Sequence, residues 1–274
     1  MKKNQKIFVS TLFKSGTKLI ESLIEQISGL KAHIVPMSTP PIYGSADPII
    51  FEDNKFFIYH NILSDDVIQR IKKENAKVIL LTRNIFDLVV AQYFHFVNDV
   101  DAEIGHATKS DQFLKKFEKS DVLTMIINGI YSNKFTYPGI KDSIIQIESF
   151  INYKKNNECL IIDFEEMVYK KESTILQIAN FIGEKSDKRA VDEMIKTTSL
   201  ETMRLIRKKM FGSGAHFRSG ESGKHKDHLS VSHYLNILSI LSRDFPGLIQ
   251  ESIKLNLGRI FETRNDYVNK LVSN

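Results

Sequence analysis

The chain has one cysteine and no tryptophan in 274 residues. A lone thiol, Cys159, excludes a disulfide framework and any metal site built from several cysteines. It suits a reducing compartment, so a cytoplasmic protein is expected. Proline and glycine are also sparse, at 6 and 13, which excludes collagen-like and low-complexity chains. No apolar run approaches the roughly 18 residues that a membrane-crossing helix needs. The opening MKKNQKIFVSTLFK has a basic start, but its apolar run breaks at Lys14 and no small-residue cleavage site follows; it reads as a first strand, not a leader. Charge of one sign is lacking too: 38 Lys and Arg stand against 33 Asp and Glu, a net of +5. That near balance argues against a nucleic-acid partner and for a small anionic ligand.

What is present is an alternation of two periodicities. Nearly continuous apolar runs at 6–10, 55–59, 77–82 and 159–163 have the pattern of strands buried on both faces of a parallel sheet. Helical spacing fills 16–28, 64–74, 84–97, 139–153 and 172–182, and after Gly183 it recurs at 187–196, 199–209, 231–243 and 247–255. The expected fold is α/β: a single domain over 1–274 with a central, mostly parallel sheet flanked by helices, a phosphate-binding loop and a helical C-terminal part. Three segments have no period, 29–50, 98–110 and 211–230, and long loops of this kind are usually functional or disordered.

The stretch TLFKSGTKLI (11–20) follows the first strand and opens a helix. Free backbone N–H groups at a helix start attract anions, and Gly16 permits close approach. Ser15 and Thr17 add hydroxyls, Lys14 and Lys18 add charge. The spacing is not that of a Walker A loop, G-x-x-x-x-G-K-[ST], because a lysine precedes the glycine. On these residues alone a plain helix start, with Ser15 as N-cap and two solvated lysines, is the favoured reading.

Four further segments join this one in a fixed order. TLFKSGTKLI resembles the 5′-phosphosulfate loop of the cytosolic-type sulfotransferases, T-[YF]-P-K-S-G-T-T-W. VILLTRNIFDLVVAQYFHF (78–96) resembles their 3′-phosphate segment, R-N-x-x-D-x-x-x-S after a strand. CLIIDFEEMVYKKESTILQIANFIG (159–183) resembles the Y-E-D-[LM] step ending in F-[IL]-G. TTSLETM (197–203) resembles the adenine-side T-S-F-x-x-M, and FRSGESGKHK (217–226) the late R-K-G-x-x-G-x-W-K loop. The resemblance implies sulfuryl transfer from 3′-phosphoadenosine 5′-phosphosulfate (PAPS) to a hydroxyl, less readily an amine, of a small molecule or glycan. It implies no required metal, since a sulfuryl group bears less charge than a phosphoryl group and lysine with backbone donors suffices. It assigns Lys14 to the leaving oxygen and His60 to the general base. Lys14, Ser15, Gly16, Thr17 and Lys18 would cradle the 5′-phosphate. Arg83, Arg218, Ser219 and Gly220 would take the 3′-phosphate, with Thr198 and Ser199 on the adenine side.

Departures from the pattern are confined to donor recognition. The serine expected eight residues after Arg83 is Ala91, the loop tryptophan is Leu19, and the adenine-side phenylalanine is Leu200. Phe164 replaces a tyrosine and Ser219 a lysine. Two other classes therefore remain open: a phosphate-loop kinase, in which Asp163 would end a Walker B strand, and a non-catalytic binding protein on the same fold. Tyr43, Phe94, Phe96 and Phe211 are candidate linings for an acceptor. His95, His106, His225 and His228 come from separate loops without ligand spacing apart from the last two, so a metal cluster is not expected. Asn84 is expected to cap the helix after Arg83, with Asp87 in its first turn. The tail LNLGRIFETRNDYVNKLVSN would pack on the domain or form a homodimer contact.

Overall fold

The computed structural model describes residues 5–34, 51–98, 109–133, 136–211 and 220–262. Its elements run β1 Ile7–Thr11, α1 Thr17–Ser28, β2 Lys31–Ile34, β3 Lys55–Tyr59, α2 Asp65–Lys73, β4 Lys77–Thr82, α3 Ile85–Val97, α4 Ser110–Leu114 and α5 Lys119–Asn128. After these come β5 Ile130–Tyr131, β6 Thr136–Tyr137, α6 Ile140–Asn156, β7 Leu160–Asp163, α7 Phe164–Tyr169, α8 Lys171–Ile182, α9 Lys188–Thr197, α10 Leu200–Phe211, α11 Val231–Asp244 and α12 Leu248–Lys254. They group into two compact units, each discontinuous in sequence: Met1–Thr82 with Ile145–Ser199, and Arg83–Ile144 with Leu200–Asn274.

The first unit is built on a parallel sheet of order β2-β3-β1-β4-β7. The four expected strands are all in it. β1 is buried along its whole length and β4 along all but its first residue, as continuous apolar runs require when both faces of a strand are covered. The fifth strand, β2, was not foreseen. Its sequence KAHI lies at the sheet edge with no residue fully buried, so no apolar run marks it. The chain moves from β1 outward through β2 and β3 on one side, then crosses to β4 on the other. The carboxyl end of β1 is thus the point where the winding reverses, the place where open α/β sheets bind ligands.

Helix α1 buries Leu19, Ile20, Leu23 and Ile24, a single face at helical spacing. Each such side chain contributes on the order of 2 kcal/mol of transfer free energy. Gly29 ends the helix in the left-handed conformation, φ 70°, where a side chain would strain the backbone. In α2, Ser64 caps the start through the Val67 N–H, while Asp65 and Asp66 precede Arg70, Lys72 and Lys73, the charge order that favours the helix dipole.

The second unit is mostly helical. Asn84 caps α3 by accepting from the N–H of Phe86 and Asp87, as expected, and its amide also donates to the carbonyls of Arg259 and Glu262 at 2.8 and 2.7 Å. Helix α5 was passed over in the sequence although Val122, Leu123, Ile126 and Ile127 form its buried face. The pair β5–β6 is antiparallel and two residues long. Tyr43, His106, Arg218 and Ser219 lie outside the described residues, as do the side chain of Phe211 and the tail beyond Glu262.

Candidate functional site

In the first unit, the loop after β1 and the residue after β3 are brought side by side by strand register. Ser10 pairs with Tyr59, so the next residue on each chain, Thr11 and His60, are neighbours at the sheet's carboxyl edge. The Thr11 hydroxyl lies 2.8 Å from His60 Nδ1 and 2.9 Å from the Thr17 hydroxyl. Loop and imidazole therefore belong to one cluster.

The loop reverses sharply. Lys14 has φ 70° and Gly16 φ 102°, both left-handed. For a lysine that conformation costs about 1 kcal/mol, and strain of this kind collects where a side chain must be aimed. Ser15 is buried, and its hydroxyl donates to the Leu12 carbonyl at 2.7 Å. It is not the N-cap of α1: that position is Gly16, which offers no side-chain cap. The first helical acceptor is the Gly16 carbonyl, taken by the N–H of Leu19 and Ile20 at 2.9 and 3.2 Å. The N–H groups ahead of these, on Gly16, Thr17 and Lys18, point off the helix end by the geometry of any helix start. A glycine is required there for a second reason. A Cβ on Gly16 would stand 2.5 Å from Cδ2 of Phe164, so the ring that opens α7 packs directly beneath the loop. Lys18 pairs with Glu21 at 2.7 Å, which leaves its backbone N–H as the group directed off the helix end.

His60 is partly accessible, yet burial pushes its pKa down to about 4, helped by the charge of Lys18 and opposed by a hydrogen bond with the Thr11 backbone. The ring is neutral at physiological pH, so one nitrogen is a proton acceptor. Two supports hold this corner that sequence reasoning missed. Buried Gln146, on α6, donates to the carbonyls of Thr11 and Asn61 at 3.2 and 3.1 Å, and the Ser149 hydroxyl accepts from the Leu63 N–H at 3.2 Å. Nothing local in the sequence marks either, because both act across tertiary contacts.

Thr198 ends α9. Its hydroxyl donates to the Met194 carbonyl at 2.6 Å, and its own carbonyl accepts from Lys171. Ser199 follows it, half-buried. The Ser199 N–H donates to the Lys196 carbonyl at 3.2 Å. Asp163 caps α7 through the Glu165 N–H at 2.8 Å. That gives the end of β7 a local structural task, where the kinase reading required a metal ligand.

In the second unit, Arg83 is buried directly ahead of α3. Gly220, φ 62°, packs on Leu200, whose Cδ2 would stand 3.2 Å from a Cβ there, so this glycine of the 217–226 motif meets the start of α10. Asp87, read from sequence as a first-turn residue only, accepts from the Ser222 hydroxyl and from the N–H of Gly223 and His225, at 3.1, 2.6 and 2.9 Å. His225 Nδ1 is 2.6 Å from the Tyr234 hydroxyl, while His228 Nδ1 faces Lys119 Nζ. The two histidines thus have different partners. Phe96 is core, packed on Tyr137 with ring centroids 4.9 Å apart, and Phe94 meets the His228 ring edge-on. Among the described residues no group of three or more His, Cys, Asp or Glu is arranged to hold a metal ion, and no helix is long and apolar enough to cross a membrane.

Comparison with known proteins places the chain in a family and shows that its fold is shared. Residues 4–245 match the family model described as the sulfotransferase domain. An amine sulfotransferase of Oryctolagus cuniculus is 23% identical over 196 residues, 67% of this chain and 56% of that protein. Sulfotransferase 2A1 of Rattus norvegicus is 25% identical over 166 residues, 57% of this chain and 52% of that one. The matched stretch thus spans about half the length of these relatives. The fold is shared with the mouse sulfotransferase SULT7A1 complexed with PAP (TM-score 0.62, 18% identity, 93% of this chain and 87% of that one). It is shared also with a retinol dehydratase in a complex with retinol and PAP (TM-score 0.60, 13% identity, 88% and 82%). With the family model matched over most of its length, the chain belongs to the sulfotransferase-domain family.

Proposed function

We propose that the protein transfers a sulfuryl group from PAPS to a hydroxyl, less readily an amine, of a small-molecule or glycan acceptor. The observation that carries this reading is the single cluster formed by an uncapped, glycine-started helix end and a neutral imidazole, joined through Thr11. An anion cradle next to a proton acceptor is what in-line transfer to an alcohol needs. The acceptor's proton passes to His60, its oxygen bonds to sulfur, and the bond from sulfur to the bridging oxygen breaks. The electron pair leaves on the 5′-phosphate. Lys14 meets that developing charge, and the N–H groups of Gly16, Thr17 and Lys18 hold the phosphate, with Ser15 bracing the loop from inside. Arg83 and Gly220, with Arg218 and Ser219, are assigned to the 3′-phosphate, and Thr198 and Ser199 to the adenine side. The acceptor is a small molecule or a glycan in this reading, and no metal takes part.

Two measurements decide it. Adenosine 3′,5′-bisphosphate, the product PAP, should bind without Mg²⁺. A labelled-sulfate transfer screen against pooled phenols, alcohols, sterols, amines and saccharides should yield a product that depends on Lys14 and His60. Ala91, standing where the family pattern has a serine hydroxyl, is the observation that favours a non-catalytic binder. Bisphosphate binding with no labelled product in any pool would establish that reading in place of the enzyme.

A further inference from the structure

Thr11 closes β1 with its side chain between two others. Its hydroxyl is 2.9 Å from the Thr17 hydroxyl and 2.8 Å from His60 Nδ1, and that nitrogen is also 3.3 Å from the Thr11 carbonyl. A hydroxyl has one proton to give, whereas a carbonyl can only accept. The Thr11 carbonyl favours a proton on Nδ1, and what the last hydroxyl faces decides whether the Thr11 hydroxyl supports that tautomer or opposes it by donating to the same nitrogen. Once Thr17 gives its proton to an anion, it can only accept from Thr11. Thr11 has then spent its own proton and can only accept from His60. The imidazole must carry its proton on Nδ1, where the Thr11 carbonyl also receives it, and the lone pair is left on Nε2.

We infer that Thr11 is a positioning residue that couples anion binding at the loop to the tautomer of His60. An occupied 5′-phosphate site orders the chain His60 Nδ1–H to Thr11, Thr11 to Thr17 and Thr17 to phosphate, which presents Nε2 as the proton acceptor. The two hydroxyl protons reorient by rotation; a ring that starts in the Nε2–H form loses that proton to solvent water and takes one from solvent water at Nδ1, so one N–H bond breaks, one forms and the net protonation is unchanged. The inference rests on the sulfuryl-transfer reading of the loop. Its consequence is that the base is set in its working form when the donor is in place.

The test is nitrogen-15 NMR of histidine-labelled protein, with the His60 signals assigned by His60→Gln, recorded with and without adenosine 3′,5′-bisphosphate. The expected result is a shift of the His60 population toward the Nδ1–H form on binding. In Thr11→Val that response disappears and kcat falls about tenfold to a hundredfold, no more than the lower end of the roughly 10²–10⁴-fold that a general base contributes, with little change in the KM for PAPS. Thr11→Ser restores both. Bound bisphosphate with His60 in the Nε2–H form, or a Thr11→Val protein that responds as the wild type does, overturns the coupling alone. A protein that binds no bisphosphate overturns the sulfuryl-transfer reading and the coupling with it.

Discussion

Asp87 holds Gly223: its carboxylate accepts the Gly223 N–H at 2.6 Å, with the His225 N–H at 2.9 Å on the other oxygen. The first turn of α3 thereby fixes the end of the glycine-rich loop, at a point where Gly223 is left-handed with φ 81°. Replacing Asp87 by alanine leaves two buried N–H groups without this acceptor, each worth about 1–3 kcal/mol. The expected outcome in chemical denaturation is a loss of about 3 kcal/mol or more. Asp87→Asn keeps the shape but offers one accepting oxygen where two are used, so it should fall between the two proteins.

Why such a contact escapes the sequence is plain from its parts. RNIFD announces a capped helix start, and Asn84 behaves so, because capping is local chemistry. The second task of Asp87 depends on a partner far along the chain. The strands divide the same way: β3 and β4 were legible because burial on both faces demands unbroken apolar runs, while β2, half-exposed at the sheet edge, demands none. At the candidate site, Lys14 through Lys18 and His60 were marked by their order. Thr11 stood only as the first residue of the loop segment, since its contact with His60 comes from the register of β1 on β3. The helix α5 is a different case: its buried face, Val122, Leu123, Ile126 and Ile127, is present in the sequence at helical spacing.

The pKa of His60, near 4, sets two pH dependences. If His60 is the general base, the acidic limb of kcat/KM should lie near this value and not near the ordinary 6.5, because a base acts as the neutral ring. Folding stability carries the same sign. The folded pKa is depressed, so the unfolded chain binds a proton first as the pH falls. The contribution is fully present above about 6.5 and is lost progressively toward 4, by on the order of 3 kcal/mol at most. His60→Gln should flatten this part of the stability profile between pH 7 and 4. A wild-type curve that is already flat there would show that the ring titrates normally.

Lys14 separates stability from activity. Its left-handed backbone, φ 70°, suits glycine better than any residue with a Cβ. In Lys14→Gly the relieved strain, about 1 kcal/mol, is offset by the greater entropy of glycine in the unfolded chain. The melting temperature should therefore be nearly unchanged. Sulfuryl transfer should fall about a hundredfold to a thousandfold, the scale of removing one preorganised donor at a developing charge. Lys14→Ala should lose activity equally while retaining the strain, and so should melt no higher than the glycine variant. Activity surviving in both would remove Lys14 from the reaction.

Gly16 makes the loop depend on a ring from another element. A Cβ there meets Phe164 Cδ2 at 2.5 Å and Cε2 at 2.8 Å, with Met167 Cε at 3.3 Å. Phe164 is buried at the start of α7, so its ring has little room to withdraw. Gly16→Ala therefore combines two penalties, a strained backbone at φ 102° and an overpacked contact, together on the order of 2–4 kcal/mol. The two can be told apart. Phe164→Leu in the Gly16→Ala background removes the facing ring atoms and should restore part of the lost stability, whereas the backbone penalty remains. If the double variant is no more stable than Gly16→Ala alone, the glycine is required for its dihedral angles only, and the ring merely covers the loop. If stability returns but bisphosphate binding does not, the ring is what shapes the amides of residues 16–18 for their anion.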